Sequence, residues 1–168
     1  MSQQRLKLLD NEDVVQLYAH PQFNATEKGY YFAVPSTWMH SIKLATASHH
    51  KISATLYLIL QYGYFKARHQ FFKFDYKDVK DDVDFIMTQY FSDTKNTPKT
   101  LPTRTTRRNM KTKILEEAGF SSEADKIDDF IEERVAYFAK ITSKVESIFE
   151  EIIKALETEK YVLPPYSR

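Results

Sequence analysis

Eight basic side chains carry the clearest chemical signal in this sequence. Arg104, Arg107, Arg108 and Lys111 fall in one short stretch. On a helix they make two i, i+4 pairs, 104 with 108 and 107 with 111, that form a broad basic face. Lys51, Lys66, Arg68 and Lys73 form a second group earlier in the chain. Both groups sit in stretches that hold no carboxylate, Lys28 to Phe74 and Thr94 to Leu115. Most of the acids lie in Asp75 to Asp93 and Glu116 to Glu159, so a net charge of only +1 conceals blocks of opposite sign. Such segregation creates a local positive field, which is what a polyanion senses. Arginine reads guanine edges in the major groove and lysine mostly neutralises phosphate, so these eight residues are the candidates for DNA binding.

Residue types suited to other chemistry are wrongly spaced or missing. Asp75, Asp78, Asp81, Asp82 and Asp84 could hold a divalent metal, but Asp78, Asp81 and Asp82 are expected on the exposed side of an amphipathic helix, and no glycine-centred calcium loop surrounds them. His49 and His50, with His40 and His69, lack the H-x-x-x-H spacing that brings two ring nitrogens to one ion. Cysteine is absent, which removes thiolate nucleophiles, disulfides and sulfur-based zinc sites. With only Gly29, Gly63 and Gly119, no phosphate-binding loop, nucleophile elbow or dinucleotide fingerprint can be hidden in the chain. A non-catalytic chain without cofactor or metal is expected. The aromatic set Tyr57, Tyr62, Tyr64, Phe65, Phe71, Phe72 and Phe74, interleaved with Lys66, Arg68 and Lys73, has two readings. It is core packing, or it is a stacking platform for an unpaired strand.

The elements that must position these residues are mostly helices, because three glycines are too few for a sandwich or barrel of 168 residues. At that length one ordinary domain or two small helical subdomains are expected. Asn11 to Ala19 reads as a helix with Asn11 as cap, and 22–34 as a turn or short extended piece around Gly29. A helix capped by Ser36 runs towards Ser48, and Ile52 to Ala67 is apolar nearly all round, marking a central core helix. Tyr76 to Tyr90 alternates apolar residues with carboxylates. Pro98 and Pro102 make 94–103 the linker between a first subdomain, 1–93, and a second, 104–168. Thr105 or Thr106 caps the basic helix, Gly119 ends it, and Lys111 and Lys113 suit its negative end. Ser121 or Ser122 then starts one long acidic helix towards Lys160. The helix, glycine turn and helix around 118–121 fit either a helix-turn-helix unit or a plain helical hairpin. The N-terminus has no apolar signal region and no run of about 18 apolar residues occurs, so a soluble intracellular protein without a membrane partner is expected.

Across HHKISATLYLILQYGYFKARHQFFKFDYKDVKDDVDFIMTQYF the sequence resembles the N-terminal domain of Tn-three-type (class II, replicative) transposases. His49, Lys51, Ile52, Leu56 and Leu58 fall on that family's H-N-R-L-G-x-A-L-Q-L-like segment. Gly63-Tyr64-Phe65-Lys66-Ala67 with Phe71-Phe72 fall on its G-Y-F-K-A-like stretch. Thr106-Arg107-Arg108, Ile114 and Gly119-Phe120 resemble its basic helix before a G-Y/F-R element, and Val162-Leu163-Pro164 its V-L-P-G close. The chain departs from the pattern at His50, Lys51, Ser53 and Pro165, where the family has Asn, Arg, Gly and Gly.

The resemblance implies a mainly α, multi-helical fold of two small helix-turn-helix-like subdomains packed together. Its implied role is sequence-specific recognition of the terminal inverted repeats of a transposon. The partner would be double-stranded DNA, joined by the remainder of the transposase or a second copy, in the bacterial cytoplasm at the nucleoid. The family's catalytic triad lies far towards the C-terminus of a much longer polypeptide, outside these residues. Two rival readings stand beside it. One is a single-strand or RNA binder using the aromatic and basic stretch, and the other a protein-interaction module docking through the acidic helix Ser122 to Lys160.

Overall fold

The computed structural model describes residues 11–165, and they form a mainly α, multi-helical fold. Among them are α1 (Asn11–Tyr18), α2 (Ala25–Tyr31), α3 (Met39–Ala45), α4 (His49–Arg68), α5 (Lys80–Tyr90), α6 (Arg104–Ala118), α7 (Ala124–Phe138) and α8 (Val145–Thr158), with one 3-10 turn, Ser36–Trp38, before α3. Extended pairing among the described residues amounts to one parallel bridge between Ser121 and Tyr161. No helix of the described residues is long and apolar enough to cross a membrane.

Short polar side chains set where several helices begin, by accepting the N–H groups that a first turn leaves unpaired. Ser48 Oγ accepts from the Lys51 N–H at 3.3 Å to start α4. Thr103 Oγ1 accepts from the Thr106 N–H at 3.2 Å to start α6, slightly ahead of the cap expected at Thr105 or Thr106. Asn24 and Glu27 form a reciprocal capping box, with Glu27 N–H to Asn24 Oδ1 at 2.9 Å and Asn24 N–H to Glu27 Oε2 at 2.8 Å. This box makes a helix of what reads in sequence as a turn or extended piece. The helix expected from Ser36 to Ser48 is shorter: it opens as an uncapped 3-10 turn, and α3 ends at Ala45.

The long helix expected over 122–160 is two helices. Ile127, Phe130 and Ile131 of α7 and Ile148, Ile152 and Leu156 of α8 belong to one core cluster, which two stripes on one straight rod cannot form. The chain therefore breaks at 139–144, where Thr142 Oγ1 accepts from the Lys144 N–H at 3.2 Å.

The chain divides into two compact units, and the division does not follow the expected 94–103 linker. One unit is His20–Ala118, and the other joins α1 to the chain from Gly119 onward. In the second unit, the cluster around Ile127, Ile152, Leu156 and Leu163 gathers Tyr18 from α1 and Tyr161 beyond α8. Backbone bonds from Ser121 N–H to the Lys160 carbonyl and from Val162 N–H to the Ser121 carbonyl, both 2.9 Å, tie its two ends.

In the first unit α4 is the hub, contacted by α2, α3, α5 and α6. Leu56, Ile59, Leu60 and Tyr64 are fully buried on it, and α6 contributes Ile114, also fully buried. Each such side chain contributes about 1.5–3 kcal/mol by leaving water. Asp82 departs from expectation: it is buried and not on the solvent side of α5 with Asp78 and Asp81. The Tyr64 hydroxyl donates to its Oδ2 at 2.7 Å and Lys28 Nζ stands 3.0 Å from its Oδ1, so one carboxylate joins α2, α4 and α5.

Gly63 explains how α2 approaches α4 so closely. A Cβ there would lie 2.5 Å and 2.6 Å from two ring atoms of the buried Phe32 and 3.1 Å from the Tyr31 carbonyl oxygen. Alanine gains about 1 kcal/mol of helix propensity over glycine, but overpacking a filled core costs about 1–3 kcal/mol. Gly63→Ala is expected to lower stability by up to about 2 kcal/mol, read as a lower urea midpoint with an unchanged slope. An unchanged or raised midpoint would show that the Phe32 contact does not constrain α4.

Candidate nucleic-acid interface

His69 ends α4 in a left-handed conformation, φ 52°, and sends residues 70–79 back beside the helix. Gln61, fully buried on α4, holds that segment through both ends of its amide. Its Nε2 donates to the Phe72 carbonyl at 2.6 Å and the Tyr57 hydroxyl at 3.1 Å, while its Oε1 accepts from the Phe72 N–H at 3.3 Å. The Tyr76 hydroxyl donates to the Ser53 carbonyl at 2.6 Å, and Ser53 Oγ donates to the Thr100 carbonyl at 2.8 Å. Both irregular stretches, 70–79 and 94–103, are thereby fixed to α4. The proline-bearing stretch is packed, with Pro98 and Pro102 buried, and does not behave as a free linker.

Between the first turns of α6 and the segment from Phe72 to Asp75 lies a cleft of about 1230 Å³. Five of the eight candidate cations line it: Lys73, Arg104, Arg107, Arg108 and Lys111. Asp75 and Asp78 oppose them, which leaves a surplus of three positive charges. The N-terminus of α6, capped by Thr103, adds its own positive end to the same side.

The basic face of α6 divides into two rows. Arg104 and Arg108 are exposed, whereas Arg107 and Lys111 are half-buried. Lys111 Nζ lies 5.2 Å from the Phe71 ring centroid, and Lys113 Nζ 4.9 Å from that of Trp38. These lysines therefore lean on aromatic faces instead of serving the negative end of α6. Burial, then the charges of Arg107 and Lys73, hold the Lys111 ammonium below its ordinary pKa. The Nε of Arg107 is buried without a hydrogen-bond partner. The cleft's apolar lining comes from Tyr57, which is buried, and from Phe72 and Phe74, which are half-buried.

The other three candidates lie apart from the cleft. Lys51 is exposed in the first turn of α4, about 22 Å along the helix axis from Lys66 by the helical rise. Lys66 is occupied: its Nζ donates to the Ala33 carbonyl at 2.8 Å and the Tyr30 carbonyl at 3.2 Å, and sits 4.6 Å from the Tyr62 ring centroid. Burial lowers its pKa to about 8. Arg68 is half-buried, with Nη1 3.4 Å from the Ala67 carbonyl. The second contact surface expected from Lys51, Lys66, Arg68 and Lys73 is thus dispersed, with Lys73 alone reaching the cleft. Gly119 has the positive φ, +70°, expected after a helix end, but α6 and α7 belong to different units. Among the described residues, no group of three or more His, Asp and Glu side chains could hold a metal ion.

A helical unit with a cationic, aromatic-lined cleft is the class of protein that this fold and site define. The chain belongs to the family described as a domain of unknown function, DUF4158, whose model matches residues 8–168. No curated protein and no solved structure matches it.

Beneath the aromatic lining sits His20. Its ring centroid lies 4.2 Å from Tyr64, 5.2 Å from Phe72 and 6.0 Å from Phe74. Its Nδ1 is 3.1 Å from the Pro21 carbonyl, and its Nε2 is buried without a partner. Burial lowers its pKa below the ordinary 6.5, against the smaller opposing effects of the Pro21 carbonyl and Asp82. The folded chain therefore prefers a neutral ring, so the unfolded chain takes up a proton first as pH falls through about 6.5. The stability that His20 contributes is present above that pH and declines below it until the folded ring protonates. Urea midpoints of the wild type and His20→Phe are expected to diverge with pH, the wild type losing more between about pH 7 and 5. Parallel declines would show that His20 is not held neutral.

Proposed function

We propose that this chain is a non-catalytic DNA-binding domain that recognises the terminal inverted repeats of a transposon, as the N-terminal part of a Tn-three-type transposase. The observation that carries the reading is the gathering of five cations at one cleft, with Arg104 and Arg108 exposed one turn apart on the outer row of α6. DUF4158 is known in transposases generally, and the motifs from His49 to Phe72 and from Thr106 to Phe120 favour the Tn-three type. Arg104 and Arg108 are the residues proposed to enter the major groove, where a bidentate contact to guanine is worth about 1–3 kcal/mol of discrimination. The exposed Thr105 and Asn109 beside them are suited to sugar and phosphate contacts. The proposed setting is the bacterial nucleoid, with the rest of the transposase or a second copy as further partner.

Fluorescence anisotropy of the full chain on its transposon-end duplex and a scrambled duplex, across a salt series, tests this reading. Arg104→Ala with Arg108→Ala is expected to weaken end binding about tenfold or more and to reduce the salt slope by about 2. Equal, weak binding to both duplexes reduces the claim to a nonspecific basic surface, and no binding at low salt favours a protein-docking role. Lys66→Met is expected to lower the melting temperature through loss of the Tyr30 and Ala33 carbonyl contacts, with DNA affinity of the folded protein unchanged. A large loss of affinity in a stably folded Lys66→Met variant would place Lys66 in the interface.

A further inference from the structure

The inner side of the cleft sets cations beside half-buried aromatic rings. Phe72 and Phe74 line it, half-buried, with the exposed Lys73 between them. Arg107 and Lys111 line the same cleft from α6, and the Arg107 Nε is buried with no hydrogen-bond partner. Three cations crowd together there, close enough that Arg107 and Lys73 both disfavour the charged form of Lys111. Such a group favours an anion, and the adjacent rings favour a flat apolar face. A base inside a duplex presents only its edge to a protein, whereas an unpaired nucleotide presents a phosphate and a π-face together.

We infer that the inner side of the cleft holds one unpaired nucleotide of a DNA strand, its phosphate among Lys73, Arg107 and Lys111 and its base on Phe72 and Phe74. The inference rests on the DNA-binding reading and assigns a second task to the same cleft. Gln61 is the positioning residue of this site. Its amide fixes the Phe72 backbone from both sides, so the chain that carries the ring and Lys73 is held in place before a strand arrives. Extruding a paired base is costly, so a base that is already unpaired is the preferred occupant.

The test compares three labelled DNAs of one sequence: a fully paired duplex, the same duplex with one bulged 2-aminopurine, and the single strand. The full chain is expected to bind the bulged duplex about fivefold to a hundredfold more tightly than the paired one, the range that one stacked base supplies, with a change in 2-aminopurine emission on binding. Phe72→Leu keeps the backbone bonds to Gln61 and is expected to abolish both the preference and the emission change. Lys73→Gln is expected to weaken binding to the bulged duplex more than to the paired one. Equal affinity for bulged and paired duplex, with unchanged emission in the wild type, overturns the inference and leaves the duplex reading intact. Single-strand binding as tight as the bulged duplex supports the inference while removing the duplex reading. No binding to any of the three ends both.

Discussion

Helix α4 has almost no face left for water, and the rest of its unit follows from that constraint. A helix apolar all round must be covered all round, and α2, α3, α5 and α6 do the covering. Two local arrangements, one steric and one polar, make this enclosure specific. Gly63 lets the Phe32 ring approach the backbone of α4, and Asp82 satisfies both the Tyr64 hydroxyl and the Lys28 ammonium inside the assembled unit. Apolar burial alone would accept several relative rotations of the covering helices. A buried carboxylate with two partners accepts few, because any other arrangement leaves an unpaired charge away from water.

The cleft is a consequence of the same enclosure. Segments 70–79 and 94–103 contain no helix beyond their short turns, yet Gln61, Ser53 and Tyr76 attach them to α4 by bonds of 2.6–3.3 Å. Their backbones are thereby tied to the same helix that α6 packs against. A site built partly on loops would otherwise lose much of its binding energy to ordering. Here that ordering is completed by folding.

How much of this was legible in the sequence depends on how local each cause is. The all-round apolar pattern of Ile52 to Ala67 and the cluster Arg104, Arg107, Arg108 and Lys111 are local, and both lead to the elements found. Asn24 and Glu27 stand at capping-box spacing, a local signal that the reading of 22–34 as a turn or extended piece around Gly29 did not use. The break between α7 and α8 carries no glycine or proline; it exists because two apolar stripes pair, a tertiary cause that no window of residues displays. The same holds for Lys66 and Asp82. Lys66 looks like a free cation until the carbonyls of Tyr30, in α2, and Ala33, just after it, arrive, and Asp82 looks solvated until Lys28 and Tyr64 enclose it. The aromatic residues of 71–74 read as core or platform in the sequence, and in the fold they are half-buried.

The two rows of α6 have different energetic characters, and on the proposed reading this difference divides their work. Arg104 and Arg108 are exposed, so contacts they make are screened by salt and exchange readily for water. Arg107 and Lys111 have already lost part of their hydration to folding, and the burial of Lys111 beside two other cations opposes its charge. Phe71 offers the Lys111 ammonium a compensating ring face. A cation that is partly desolvated in the free protein has less water to give up when an anion arrives, and it sits in surroundings of lower dielectric, where the attraction is stronger. Incomplete satisfaction of the inner row is therefore the feature that distinguishes it from an ordinary charged surface, and it is where a bound phosphate would be held most firmly.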